Sequence, residues 1–387
     1  MSNLLTRQLA ATLPCLLLAA ITSITFAQDT TGNQLRNLAG ISSKERNPIP
    51  RQTVWPHRAG QATVCTWKDD KLAAVTITID DNTKPDHSWW LEQGEKYDIP
   101  LTWFAVTGGI SVRNPNFTGT WEDFQKLVDA GHDVQSHAAT HRSKKANWPV
   151  DKDYRVSIDH LTANLKGTQP LTLAYPGGGL PNDPAVAATM FAGARGTRGT
   201  VNSASPDYLD VHSCSGSRSF DVPKGERGDF ASLVAKLQPG HGKDPIPCWY
   251  SVHYHGVHYN AKWRDKIEPH AIRLMQYISD NRDLIWPTFF RHAVLYGQQR
   301  DTATLKTVSS TADEFTIELT DRMYDAWYDF PLTIKVRLPQ NWPNIQATQA
   351  GNPINVKVVE HEKAMYALVD AIPDRGLIAL TAITGQQ

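Results

Sequence analysis

The chain has 387 residues, 41% of them hydrophobic and 20% charged, with 39 basic and 39 acidic side chains. That composition excludes a disordered or multiply membrane-spanning chain, and the length suits one large domain with a smaller one beside it. Balanced charge supplies no global field for nucleic acid or an anionic membrane.

The first segment is a processing signal by its pattern. Arg7 is followed by no charge until Asp29, the stretch between is apolar, and Thr25-Phe26-Ala27 forms a small-residue exit. Residues 1–27 therefore read as a signal peptide, too short and interrupted for a membrane span. The mature protein is expected to be secreted or periplasmic, with no membrane span after cleavage. Residues 28–64 form an N-terminal extension, polar and Pro-punctuated up to residue 62, that reads as a wrapping tail or a tether. Of the remaining cysteines, Cys65, Cys214 and Cys248, an oxidising compartment permits one bridge. Cys214 with Cys248 is the expected pair, since both flank one long irregular stretch. No CxxC spacing occurs, so a metal would not be held by sulfur.

From Lys71 the texture changes. Ala73, Val75, Ile77 and Ile79 alternate with Ala74, Thr76 and Thr78, a strand ending at Asp80-Asp81. A helix around 89–97 and a strand over 99–106 follow. Trp121, Phe124, Leu127 and Val128 recur at helical spacing, and Gly131 ends that helix before a strand at 133–136. Helices near 153–165, 184–191, 229–237 and 268–280 then alternate with strands at 171–175, 249–255 and 284–286. Strand-helix alternation implies a parallel sheet, here a closed or nearly closed TIM-like barrel over residues 65–300. Residues 301–387 switch to short β runs (314–319, 332–338, 355–359, 364–369, 377–382), a small C-terminal antiparallel β domain.

Two clusters carry chemistry. Catalytic side chains of a parallel α/β barrel sit at strand C-termini, and Asp80-Asp81 occupies such a place. A strand bending into its loop lets neighbouring residues reach one site, and two close carboxylates need a cation or a proton between them. The competing reading of Asp-Asp-Asn is a plain turn. His137 and His141 are four apart, a helical spacing that puts their Cβ atoms roughly 5–6 Å apart on one face, suited to two imidazoles on a shared metal. Alone they would read as surface histidines; their joint occurrence with Asp80-Asp81 on the same rim points to a metal hydrolase. Near them, Trp89 and Trp90 suit either sugar stacking or packing, and Asp86 and His87 read as solvated. His253 shares a strand face with His255 and reads as a core histidine, and His258 as loop.

The chain resembles the polysaccharide deacetylases of the NodB-homology type, carbohydrate esterase family 4. Thr78-Ile79-Asp80-Asp81 is similar to that family's T-F-D-D motif, and Gly131 through His141 to G-H-E-x-x-x-H-[ST]-x-x-H. Leu173-Ala174-Tyr175-Pro176-Gly177-Gly178 is similar to the third motif, and the strand ending His255-Gly256-Val257 to the late H-G-[IV] motif. The resemblance implies a distorted (β/α) barrel of the NodB type. It implies metal ligation by Asp81, His137 and His141, with Asp80 as general base and His255 as general acid. It further implies that Tyr175, Pro176 and Gly177 bind substrate, with a backbone N–H near Gly177 serving the oxyanion. The implied cofactor is a divalent metal, zinc by default, with nickel or cobalt also suited. The implied partner is an acetylated glycan, and the implied activity is deacetylation of a polysaccharide or oligosaccharide. Ala174 stands where the family often has an arginine paired to the base; Arg195, Arg198 and Arg218 are the candidates to replace it. Gly177 stands for an aromatic, and Ile79 for Phe. Two other readings stay open: an amide or imide C–N hydrolase on the same scaffold, and a non-catalytic glycan-binding protein.

Overall fold

The computed structural model describes residues 34–142, 149–178, 184–216, 230–238, 243–258, 261–342 and 344–383. The expected signal segment and Arg218 lie outside these residues.

Strand β1 (Ala62–Val64) belongs with the C-terminal strands. The central sheet is built from β2 (Ala73–Asp80), β3 (Leu101–Ala105), β4 (Asp133–Ser136), β5 (Thr172–Ala174), β6 (Gly193–Arg195), β7 (Asn202–Ser203), β8 (Cys214–Ser215), β9 (Cys248–Tyr254) and β10 (Ile285–Pro287). Its order is β6-β5-β4-β3-β2-β9-β7, and β2 through β6 and β9 pair in parallel. All eight residues of β2 are buried because both its edges are paired and both its faces covered. Ala73, Val75, Ile77 and Ile79 pack with Trp90, Phe124, Leu127 and Leu274 of the surrounding helices. The other face carries Ala74, Thr76, Thr78 and Asp80. There the Trp249 indole N–H donates to Thr76 Oγ1 at 3.1 Å, and the Thr78 hydroxyl donates to Val252 O at 3.1 Å, so the two buried threonines are satisfied.

The alternation read from the sequence is present as α/β, but the sheet is curled rather than a regular eight-strand barrel. β5 and β6 are three residues each and β8 is two, and β7 runs antiparallel to β9. Val211 bridges Arg195 of β6, and Cys214 pairs with Val252 of β9, so residues 211–215 touch both arms of the curl. Helix Trp121–Asp129 starts where expected because Thr120 and Asp123 form a reciprocal capping box.

A separate antiparallel β region follows, with strands β11 (Thr304–Ser310), β12 (Glu314–Thr320), β13 (Leu332–Arg337), β14 (Ile345–Gln349), β15 (Asn352–Pro353), β16 (Val356–His361), β17 (Ala364–Ala371) and β18 (Ile378–Ala382). They form a four-stranded sheet, β1-β13-β17-β16, and a five-stranded one, β11-β12-β18-β14-β15. The extension is therefore more than a tether. It donates β1 to a C-terminal sheet, and its Asn37 side chain donates to the carbonyls of Ala188 and Phe191. The 300/301 boundary falls inside a helix, Phe290–Thr302, that no sequence pattern announces. Phe290 and Ala293 through Thr302 are all buried, polar residues included, so no 3.6-residue stripe marks it.

Asp321, in the turn between β12 and β13, gives a pH test. Burial and the nearby Asp374 and Asp325 carboxylates push its carboxyl up to about 7, although it accepts a hydrogen bond from the Met323 N–H. A folded value above the unfolded one, about 3.9, means stability is full below pH 4 and is lost as pH rises toward 7. Asp321→Asn is expected to flatten this slope, worth at most about 4 kcal/mol across the window. Melting temperatures of both proteins from pH 4 to 8 check it; parallel curves would refute it.

The expected Cys214–Cys248 disulfide does not form. The β8–β9 register sets Cys214 beside Val252, four residues along β9 from Cys248, so the two side chains are out of reach of one another. Both sit in the core, as does Cys65.

Candidate active site

Because the strands are parallel, their C-terminal ends share one rim. Asp80 ends β2, His137 follows β4, Ala174 ends β5, Arg195 ends β6 and His255 follows β9. Strand alternation alone would turn Asp81 toward the helices, away from Asp80. Asp81 adopts φ +64°, in the left-handed region, and this turn brings the second carboxylate back to the same site. Asn82 then clamps the turn to the next strand end: it accepts from Val106 N at 2.9 Å and donates to Val106 O at 2.8 Å.

His137 and His141 meet as expected, although not on a helical turn. Residues 137–142 form an irregular loop with positive φ at Ala138 (60°) and His141 (54°). Backbone bonds to the loop after β3 hold it: Thr107 N donates to Ala138 O and Gly108 N to Ala139 O. Gly108 is required at that contact, since a Cβ there would lie 2.6 Å from Ala139 O. On the other side Thr140 N donates to Asp153, a buried carboxylate of the helix Val150–Asn164.

The ligand atoms of Asp81, His137 and His141 all lie within 4.8 Å of one another, the only such triad of His, Cys, Asp or Glu among the described residues. His137 Nε2 is 3.8 Å and His141 Nε2 3.7 Å from Asp81 Oδ1. Donors bound at about 2.1 Å to one tetrahedral ion stand about 3.4 Å apart, so the set needs little adjustment to share a cation. His137 is buried, and its Nδ1 lies 2.8 Å from Ala174 O, so Nδ1–H donates to that carbonyl and Nε2 presents its lone pair to the cluster. Burial lowers the His137 pKa against the pull of Asp80 and Asp81, which favours the neutral imidazole a metal requires. These residues fit a divalent cation.

Asp80 is 2% exposed and ion-paired with Arg195, itself fully buried. Of the candidate arginines among the described residues, Arg195 is thus the one at the carboxylate, reaching it from β6 in place of the missing arginine at Ala174. Arg198 pairs instead with Asp210. Burial would raise the Asp80 pKa, but the Arg195 guanidinium, helped by His137, His255 and His253, outweighs it and holds the carboxyl below the usual carboxylate range. His253 is buried with Nδ1 3.0 Å from Ser213 Oγ, and burial and Arg195 lower its pKa to about 3. It is a satisfied core histidine beside the site. His255 is half-buried, its ring centroid 5.8 Å from that of His253.

Other expectations change. Tyr175 is 1% exposed; its hydroxyl donates to Leu209 O at 3.0 Å and its N–H to Arg195 O at 3.0 Å. Neither group is available to substrate, because both are consumed in holding β5 to its neighbours. Pro176 is buried and has no N–H, which leaves Gly177 (φ +70°) as the motif-three position with a backbone donor. Asp86 and His87 are buried, not solvated, and Trp90 is core, whereas Trp89 is partly exposed beside His258. No periodicity marks Asp86; its only sequence sign is an acid five residues beyond Asp81.

Residues 68–195 match the model of a family described as polysaccharide deacetylase. Over this third of the chain the sequence is similar to the polysaccharide deacetylase family. The match includes Asp80, Asp81, His137, His141 and Arg195 and ends before β9. A gellan lyase from a Bacillus species is 32% identical over 371 residues, covering 92% of this chain and 14% of that protein. The chain thus spans a small part of that curated relative. Among solved structures, a Streptococcus pyogenes deacetylase in complex with acetate is 22% identical, over 36% of this chain and 62% of that one, with a TM-score of 0.33. An allantoinase is 14% identical, over 64% of this chain and 97% of that one, with a TM-score of 0.41.

Proposed function

We propose that the deacetylase domain hydrolyses acetyl groups from an acetylated polysaccharide or oligosaccharide outside the cytoplasm, in a metal-dependent reaction on a distorted (β/α) barrel. The observation that carries the reading is the Asp80–Arg195 pair standing directly against the Asp81/His137/His141 cluster on one rim. A buried carboxylate kept ionised by a fixed cation is suited to take a proton from water at neutral pH. A divalent cation held by Asp81, His137 and His141, zinc by default, would supply an acidified water and polarise the acetyl carbonyl. Asp80 accepts the proton of the attacking water. His255, half-buried at the end of β9, donates a proton to the departing nitrogen or oxygen of the sugar. The Gly177 N–H is assigned to the oxyanion, since the Tyr175 N–H is engaged in the sheet.

The test is acetate release from acetylated chitooligosaccharides, acetylxylan and peptidoglycan by purified protein, with and without a chelator. Release that stops with chelator and returns with zinc is expected on at least one polymer. Binding to a polymer without release would favour a glycan-binding protein, and hydrolysis of cyclic imides alone a C–N hydrolase of small amides.

A further inference from the structure

Asp86 opens the helix His87–Tyr97 at the N-cap position, where an aspartate ordinarily accepts hydrogen bonds from the first turn of its own helix. Here the side chain makes no such cap. It reaches across the rim to the turn after β9. Oδ2 accepts from Val257 N at 2.6 Å, and Oδ1 accepts from His258 N at 3.1 Å and lies 2.8 Å from His258 Nδ1. The carboxylate is 1% exposed, so these bonds are not shared with water. Helix residue Trp263 secures the same turn from its other end, its indole N–H donating to Gly256 O at 2.6 Å. His258 Nε2 also faces Glu268 of that helix at 3.7 Å, a second contact between the turn and the helix.

Charge-assisted bonds from backbone N–H groups to a carboxylate are short and strong, and a buried one cannot be replaced by solvent. Helix capping is therefore forgone for a connection between two loops. One follows Asp80 and carries Asp81, the other carries His255, two residues before the first amide that Asp86 holds. We propose that Asp86 is a positioning residue that fixes His255 relative to Asp80 and acts on the reaction only through that histidine. The inference rests on the assignment of His255 as proton donor. A proton donor displaced by about 1 Å loses up to about 10²-fold in rate, which sets the scale of the effect.

Asp86→Asn retains the shape but turns an amide N–H toward a donor. In metal-loaded protein it is expected to lower kcat about 10–100-fold with KM unchanged and zinc affinity unchanged, and to raise hydrogen exchange at the Val257 and His258 amides. In a His255→Ala background the same substitution should cost no further activity, because a residue acting through His255 has nothing left to position. Equal, additive losses in the two backgrounds would overturn the proposal, as would a kcat within twofold of wild type. If the wild-type protein releases no acetate from any polymer, the functional reading falls, and amide exchange decides Asp86 alone: unchanged protection of both amides in Asp86→Asn would refute the clamp.

Discussion

Replacing Asp80 with asparagine is expected to lower acetate release by about 10²–10⁴-fold while the protein keeps its metal. Asparagine is isosteric and can still accept a hydrogen bond from Arg195, but it cannot take a proton from water. Asp80 is not one of the three clustered ligand residues, so metal content by elemental analysis should match wild type. His137→Ala should behave differently. It deletes the buried ligand of the triad and leaves Ala174 O without its imidazole donor, so metal and activity should disappear together. The pair of variants separates base from ligand. An Asp80→Asn protein that retained most of its rate, or lost its metal, would show that the two carboxylates had been given each other's roles.

Arg195→Met is expected to destabilise the fold by about 3–5 kcal/mol near neutral pH, since it leaves a buried carboxylate without its counter-charge. The guanidinium also rests 4.8 Å above the Phe104 ring, and a neutral methionine forgoes that cation–π attraction. In the wild type the folded Asp80 pKa lies below the unfolded value of about 3.9, so its stabilising contribution is present above that value and disappears only in strong acid. Without Arg195 the burial effect, which raises the pKa, is no longer offset. The folded value then exceeds the unfolded one, and stability is lost as pH rises. The deficit of the variant should therefore widen from pH 4 to 7, measured by denaturation of metal-stripped protein so that no bound cation substitutes for arginine. A deficit independent of pH would mean that Arg195 matters through packing alone. The acid limb of the activity profile should move upward in the same variant, because Asp80 must be ionised to act.

The site is legible where chemistry depends on neighbours in the chain. Asp80-Asp81 and His137/His141 read as one centre because each follows a strand, and parallel strands deliver such residues to a common rim. The helical spacing of the two histidines is not what joins them. Left-handed φ at Ala138 and His141 and bonds to the loop after β3 assemble the pair. The helix Phe290–Thr302 is illegible because almost all of it is buried, which erases any polar face. β11 escapes for the opposite reason: six of its seven residues are exposed, so no apolar alternation marks it.

The sequence by itself determined the alternating α/β region, the later β region, and the ligand and base candidates, since hydrophobic period and short-range spacing are properties of the chain. Tertiary structure alone decided which arginine meets Asp80, that Tyr175 is structural, that Cys214 and Cys248 stay apart, and that Asp86 ties two loops together. The physical reason is common to all four. Each depends on strand register or on a contact between residues more than thirty positions apart, and the free energy of such a contact is set by burial and geometry that no local pattern encodes.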